Sequence, residues 1–269
     1  MPRFLVRTFL LAAALARVAG FAATVGAPQE VSDLQQNQRV ERGLAFLSHL
    51  FDRELNLMPE FSSSKTYWLF HDNYLAARVL ANTRREMSEQ IQAALVKFGV
   101  TNSGKIEILF NEARQALPFR NFTLTNVALV NGKTIRTEAV TTNILKGWEQ
   151  YADLLLLAAI AQARSTPAKA RSSFDSAAAM WDGHGFKDRA AKQMGTYSTY
   201  KLALYLIAAD RLAITPPERS AVLSSLLAMQ SSDGGWITDY RGDQPTGQAN
   251  VETTCLAILA LQPKAQHTR

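Results

Sequence analysis

The sequence predicts an all-α fold, an α/α toroid of two concentric helix layers with one inserted β-hairpin. Helices of two kinds alternate along the chain, some apolar on one face and others apolar nearly all round. A helix apolar on every face belongs inside a protein and a striped one outside, so the alternation implies an inner and an outer layer. The apolar helices also open alike, with a polar pair ahead of an aromatic or hydroxyl residue, which marks an internal repeat.

The N-terminus is read apart from that fold. Arg3 and Arg7 precede the apolar stretch 9–16 and small residues around Gly20 and Ala22, the layout of a secretory signal. Residues 1–23 are assigned to it, with an uncleaved amphipathic anchor helix as the alternative. A flexible polar lead-in (24–38), one toroid domain (39–263) and a tail (264–269) follow. At 269 residues and 47% hydrophobic composition, the chain can bury the core of a single domain.

Removing the signal takes Arg3, Arg7 and Arg17, leaving 26 basic against 23 acidic residues. The remaining charge of about +3 is too small and scattered for a nucleic-acid surface. No apolar run approaches the roughly 20 residues of a bilayer span. The mature protein is therefore expected to have no stable membrane span and to be secreted or periplasmic. Cys255, the single cysteine, permits no intrachain disulfide and no multi-cysteine metal cage. Inside an apolar helix it reads as a small buried hydrophobe.

Taken in order, Val40, Leu44, Leu47 and Phe51 make the stripe of a first outer helix. Met87, Ile91, Leu95 and Phe98 make a second. Ile106, Leu109, Ala113 and Ala116 make a third, stopped by Pro118. A weaker pattern spans 168–181. Val222, Leu223, Leu226 and Leu227 make the last, entered through Pro216, Pro217 and Glu218. The stretches 151–161, 200–209 and 254–261 are the helices apolar nearly all round. Aligning Tyr74, Tyr151, Tyr200 and Thr254 puts Asp72-Asn73, Glu149-Gln150, Ser198-Thr199 and Glu252-Thr253 in one register. Between an outer and an inner helix, Asn131-Gly132 separates two strand-like runs, a type I′ turn signal for a hairpin over about 122–140. Asn121-Phe122-Thr123 matches a glycosylation sequon.

The stretch Gln230-Ser231-Ser232-Asp233-Gly234-Gly235-Trp236 resembles the Gln-Trp repeat of squalene and hopene cyclases. Those enzymes belong to an α/α-toroid superfamily with the protein prenyltransferase β-subunits. Arg42, Gly43, Phe46 and Leu47 resemble the other half of the repeat, with Phe51 where its glutamine would stand. The resemblance implies the toroid, and a repeat that ties the end of an outer helix to the next loop. It does not imply the relatives' chemistry. The Asp-x-Asp-Asp acid of the cyclases and the Gly-Cys-Gly-Glu-Gln thioester of complement-like domains are absent. Of the prenyltransferase Asp-x-Cys, only Cys255 has a counterpart, since Thr253 stands where the acid would be and the later histidine is His267 in the tail. The six-hairpin glycan hydrolases and lyases are similar in architecture and extracytoplasmic address.

In such a toroid the outer-to-inner turns open on one side, where inner-helix N-termini add backbone donors and positive dipole ends. Asp72 with His71, Glu149, Asp182 and Glu252 are the catalytic candidates. Tyr67, Trp68, Trp181, His184, Tyr197, Trp236 and Tyr240 are the ligand-binding candidates. Carboxylates beside aromatics suit a sugar, and the same acids can serve as general acid and base. The expected function is binding of a carbohydrate in the central cavity; whether it is an enzyme is left open, and if it is one, it hydrolyses or eliminates the sugar as a glycoside hydrolase or polysaccharide lyase does. A non-catalytic module for a ligand or protein, and a terpenoid cyclase or prenyltransferase-like isoprenoid site, are the alternatives. Like charges at a shared mouth should raise one carboxyl pKa.

Plainer structural roles compete. Asp72, Glu149 and Glu252 suit helix first turns, and Asp182 and Asp233 suit turns beside glycine. Trp236 is preferred as a buried tie, and Tyr151 and Tyr200 as buried rings with bonded hydroxyls. His71 and His184 lack zinc spacing; no metal and no cofactor is expected, and the partner is a small molecule or glycan.

Overall fold

The computed structural model describes residues 33–100, 105–112 and 117–262. The expected signal, residues 24–32 of the lead-in and the tail lie outside the described residues. The chain is mostly helical, with nine α-helices among the described residues and small sheets between them.

The first helix, α1 (Asp33–Leu50), begins inside the expected lead-in, so residues 33–38 are helical rather than flexible. Their leucine and glutamines are good helix formers, and Asp33 suits the positive end of the dipole. Next come β1 (Thr66–Trp68), α2 (Leu75–Leu80) and α3 (Arg85–Phe98), then the hairpin β2 (Arg120–Val130) and β3 (Lys133–Ile144). Helices α4 (Ala152–Gln162), α5 (Pro167–Ala178) and α6 (Arg189–Met194) follow, then β4 (Tyr197–Ser198), α7 (Thr199–Arg211) and α8 (Arg219–Ala228). Four short strands, β5 (Trp236–Ile237), β6 (Asp239–Arg241), β7 (Gln244–Pro245) and β8 (Ala249–Asn250), lead into α9 (Val251–Leu261).

The helices apolar all round are buried. Leu154 to Ile160 of α4, Leu202 to Ala209 of α7 and Cys255 to Ile258 of α9 have almost no solvent exposure. Helix α9 packs on α2 and α7, and α7 packs on α4. Each of these four helices is backed by a striped one: α1 lies on α9, α3 on α2, α5 on α4 and α8 on α7. The stripe of α1 buries Val40, Leu44 and Leu47, each adding about 1.5–3 kcal/mol on leaving water.

Two further expectations change. Of the third outer helix, the described part is a 3₁₀ turn, Ile106–Phe110, ended by Asn111 in the left-handed region at φ 58°, and Ala113 and Ala116 lie outside the described residues. Spacing of three, as in Ile106 and Leu109, fits a 3₁₀ turn as well as an α-helical stripe. The hairpin is longer than predicted and gains a partner. β1 pairs in parallel with β3, giving the order β1-β3-β2. Asn131 and Gly132 both have positive φ, as the type I′ turn requires. Lys133 Nζ holds the hairpin tip to Asp52 and Glu54 at 2.7 and 2.6 Å. Sheets β4-β6-β7 and β5-β8 only close turns ahead of α7 and α9.

Candidate functional site

Helices α4, α7 and α9 follow extended residues at Tyr151, Ser198 and Asn250. Counted from those residues, Asp153, Tyr200 and Glu252 hold the same second helical position. Leu157, Leu204 and Leu256 stand four residues later, one turn along the same face. All six line one recess of about 240 Å³, completed by Leu154, His71, Lys105 and Ile106. The register built on Tyr151, Tyr200 and Thr254 is therefore wrong. Tyr200 matches Asp153 and Glu252, because the helices begin at unlike residue types.

His71 arrives from a different backbone. β1 runs into one π-helical turn, Leu69–Tyr74, a rare form that recurs at functional sites. Buried Asn73 fixes it: Nδ2 donates to the carbonyls of Met58 (3.0 Å) and Trp68 (2.7 Å), and Oδ1 accepts the Met58 N–H at 2.7 Å. His71 Nε2 then lies 2.6 Å from Glu138 Oε1, and Nδ1 lies 3.5 Å from Glu252 Oε1. Glu138 is 1% exposed, whereas the side chains of His71 and Glu252 keep 23% and 28%, beside the recess they line.

A ring with a carboxylate at each nitrogen is held as the imidazolium, the form with two donors. Burial alone pushes His71 down, but hydrogen bonds to Glu138 and Glu252 outweigh it and lift its pKa to about 10. Burial pushes Glu252 up, yet the His71 hydrogen bond and charge, with help from Lys105, hold it below the usual range. Asp153 moves the other way. Its burial raises it, against the opposing charge of Lys201 and the hydrogen bond from Tyr200. The Tyr200 hydroxyl donates to Asp153 Oδ2 at 3.1 Å, while buried Oδ1 has no hydrogen-bond partner among the described residues.

Near enough to act on Asp153 by charge, Lys201 Nζ meets Asp188 Oδ2 at 2.6 Å with both side chains buried. Asp188 also accepts the N–H groups of Ala152 and Ala191, each at 3.0 Å, so one carboxylate joins the starts of α4 and α6 to α7. The expected free backbone donors are largely engaged. Thr199 N–H reaches Thr238 O at 2.8 Å, Val251 N–H reaches Glu60 O at 3.1 Å, and Thr253 N–H reaches Asn250 Oδ1 at 2.9 Å.

Of the five catalytic candidates, the structure brings His71 and Glu252 together in the recess. Asp72 is close but turned into the core, where its carboxylate accepts the Glu252 N–H. Burial, then the Glu252 charge, push its pKa well up. Glu149 is exposed on the turn Trp148–Gln150 and does not line the recess. Asp182 closes a turn elsewhere: Oδ1 accepts the N–H groups of His184 and Gly185 at 3.1 Å, and Oδ2 accepts the Tyr197 hydroxyl at 2.6 Å.

None of the seven ligand-binding candidates lines the recess. Tyr67 is buried and donates to Asp52 at 2.8 Å. Trp68 is half-buried under Arg136, and Trp181 packs on Phe186 with centroids 5.5 Å apart. Tyr197 packs on Tyr240, whose hydroxyl donates to His184 O at 3.0 Å. His184 itself is exposed beside Asp243. Trp236 is fully buried, and its Nε1–H donates to Leu226 O at 2.9 Å.

The reading by sequence missed Asp153, Tyr200, Lys105 and Glu138 as site residues. Asp153 did carry a signal, since a charge inside so apolar a run needs a reason to be there. Glu138 carried none, because strand pairing alone brings it to His71. Among the described residues, no group of three or more His, Cys, Asp or Glu is arranged to hold a metal ion, and no helix is long and apolar enough to cross a membrane. Comparison with known protein families, curated proteins and solved structures found no match.

Proposed function

We propose that this is a secreted or periplasmic enzyme on an open α/α toroid, with the recess as an acid–base site for a small hydroxylated substrate. Four buried helices, each backed by a striped one, support the toroid as an arc of its two layers. One observation carries the chemistry. Asp153 and Glu252 reach the same recess from the same helical position, and their surroundings push their pKa values apart. Such divergence separates an acid from a base. Asp153, pushed up, takes the part of the general acid, Glu252, held down, that of the base, and Tyr200 orients Asp153. At about 240 Å³ the recess is smaller than the roughly 300–1,000 Å³ sites of drug-sized ligands. A single sugar unit is the substrate class of choice, its hydroxyls bonding to Glu252 beside the Asp153 carboxyl.

A second reading has its own support. Ile106, Leu154, Leu157, Leu204 and Leu256 make the walls, with Tyr200 as the aromatic, which suits an isoprenoid or another branched aliphatic chain. A thermal-shift and turnover panel of monosaccharides, aryl glycosides and short prenyl alcohols separates the two. The first reading expects glycoside turnover that falls about 100-fold or more in Asp153→Asn and Glu252→Gln in variants that remain folded. Binding of prenyl alcohols alone favours the second reading. Binding without turnover leaves a non-catalytic module.

A further inference from the structure

We infer that Glu138, delivered by the inserted hairpin, is the positioning residue of the recess: it fixes His71 so that Nδ1 faces Glu252, the carboxylate presented to the ligand. The inference rests on the recess being the functional site. Its geometry begins in the sheet. β1 runs parallel to β3 with Trp68 opposite Arg136. Three residues past Trp68 the π turn presents His71, and two past Arg136 β3 presents Glu138, so both chains leave the paired register side by side. The resulting contact, Nε2 to Oε1 at 2.6 Å, is the shorter of the two that His71 makes, and its carboxylate is the buried one. An imidazole gripped at Nε2 has little freedom left, and Nδ1 is aimed by that grip, as in outer-shell partners that orient a working histidine. The hairpin thereby becomes part of the site rather than an appendage to it.

Other charges face the ring as well. Glu252 lies across Nδ1, Asp72 adjoins on the same turn with Glu60 near it, and Lys105 borders Glu252. Arg136 is stacked over Trp68, and Asp153 with Tyr200 lines the same recess as His71. Glu138 and Glu252 are the two that the imidazolium bonds, and of these Glu138 is nearer and drier.

The test is ¹⁵N NMR of the histidine-labelled full chain, with His71 assigned by the signal lost in His71→Gln. Wild-type His71 should keep both ring protons through about pH 8. In Glu138→Gln its midpoint should fall by about two pH units or more toward the ordinary value, and Glu138→Asp should restore part of the shift. A Glu138 with only a structural role would lower the melting temperature and leave the midpoint in place. That result, or a wild-type His71 that is neutral at pH 8, overturns the inference. If Glu138→Gln does not fold, the wild type decides. A slowly exchanging Nε2 proton showing cross-peaks to β3 supports the inference, and a solvent-facing Nε2 overturns it. No ligand is needed, so an empty substrate panel with the expected His71 response would sink the proposed function and leave Glu138 in its role.

Discussion

The indole of Trp236 lies so close over Gly43 that a methyl group there would meet Cζ3 at 2.8 Å and Ile258 Cδ1 at 3.1 Å. The turn before α9 is thereby locked onto α1. Gln230 completes the tie, its Nε2 donating to Arg39 O at 2.9 Å and Gly234 O at 2.8 Å. Trp236→Ala should cost about 3–5 kcal/mol, as truncating a buried aromatic does, and Gly43→Ala about 1–3 kcal/mol through overpacking. Urea unfolding measures both. A loss below about 1 kcal/mol for Trp236→Ala would show that the turn is not a structural tie.

The buried Lys201–Asp188 pair should behave asymmetrically. Lys201→Met leaves Asp188 with two N–H donors, whereas Asp188→Ala strands an ammonium and uncaps two helix starts. Breaking one partner of such a pair costs about 3–5 kcal/mol, and Asp188→Ala should be the worse. The double variant should cost less than the sum of the singles. Additivity in that double-mutant cycle would mean that the pair is not coupled.

Asp72→Asn should stabilise the protein at alkaline pH. A folded-state pKa raised by burial makes an acid increasingly unfavourable as pH climbs from its ordinary value toward the raised one. Asparagine copies the protonated acid and can still accept the Glu252 N–H. The gain in melting temperature should be near zero at about pH 4 and grow toward pH 8. A loss at every pH would mean that Asp72 works as an ionised cap.

Burial periodicity made the helical core legible: the uninterrupted apolar runs of α4, α7 and α9 and the three-and-four spacing of α1 each named their own side. Helix starts were less legible. Tyr151 precedes its helix and Tyr200 sits inside one, so matching aromatics shifted the alignment away from Asp153. β1 is three residues long, Thr66, Tyr67 and Trp68, too short for any alternation to announce it. Its pairing is long-range, and with it went the link between Glu138 and His71. The aromatic candidates lie away from the recess for a related reason. Rings such as Trp236 and Tyr240 mark turns, and what those turns needed was packing.

The last prediction concerns pH and the His71 cluster. With a folded pKa of about 10 against an ordinary 6.5, His71 contributes stability that is fully present below pH 6.5 and is lost as pH rises toward 10. Glu252, depressed from 4.5, contributes stability present above that value and lost as pH falls through its folded pKa. The cluster therefore supports the fold best between about pH 4.5 and 6.5. Asp72 and Asp153, both raised, add to the decline on the alkaline side. Wild type should lose stability between about pH 6 and pH 9, and His71→Gln should remove roughly 1–3 kcal/mol of that loss. The figure is below the full linkage value because the ring is about a quarter open to solvent. Urea midpoints across that range provide the measurement. Parallel curves for the two proteins would mean that His71 is not held as an imidazolium between Glu138 and Glu252.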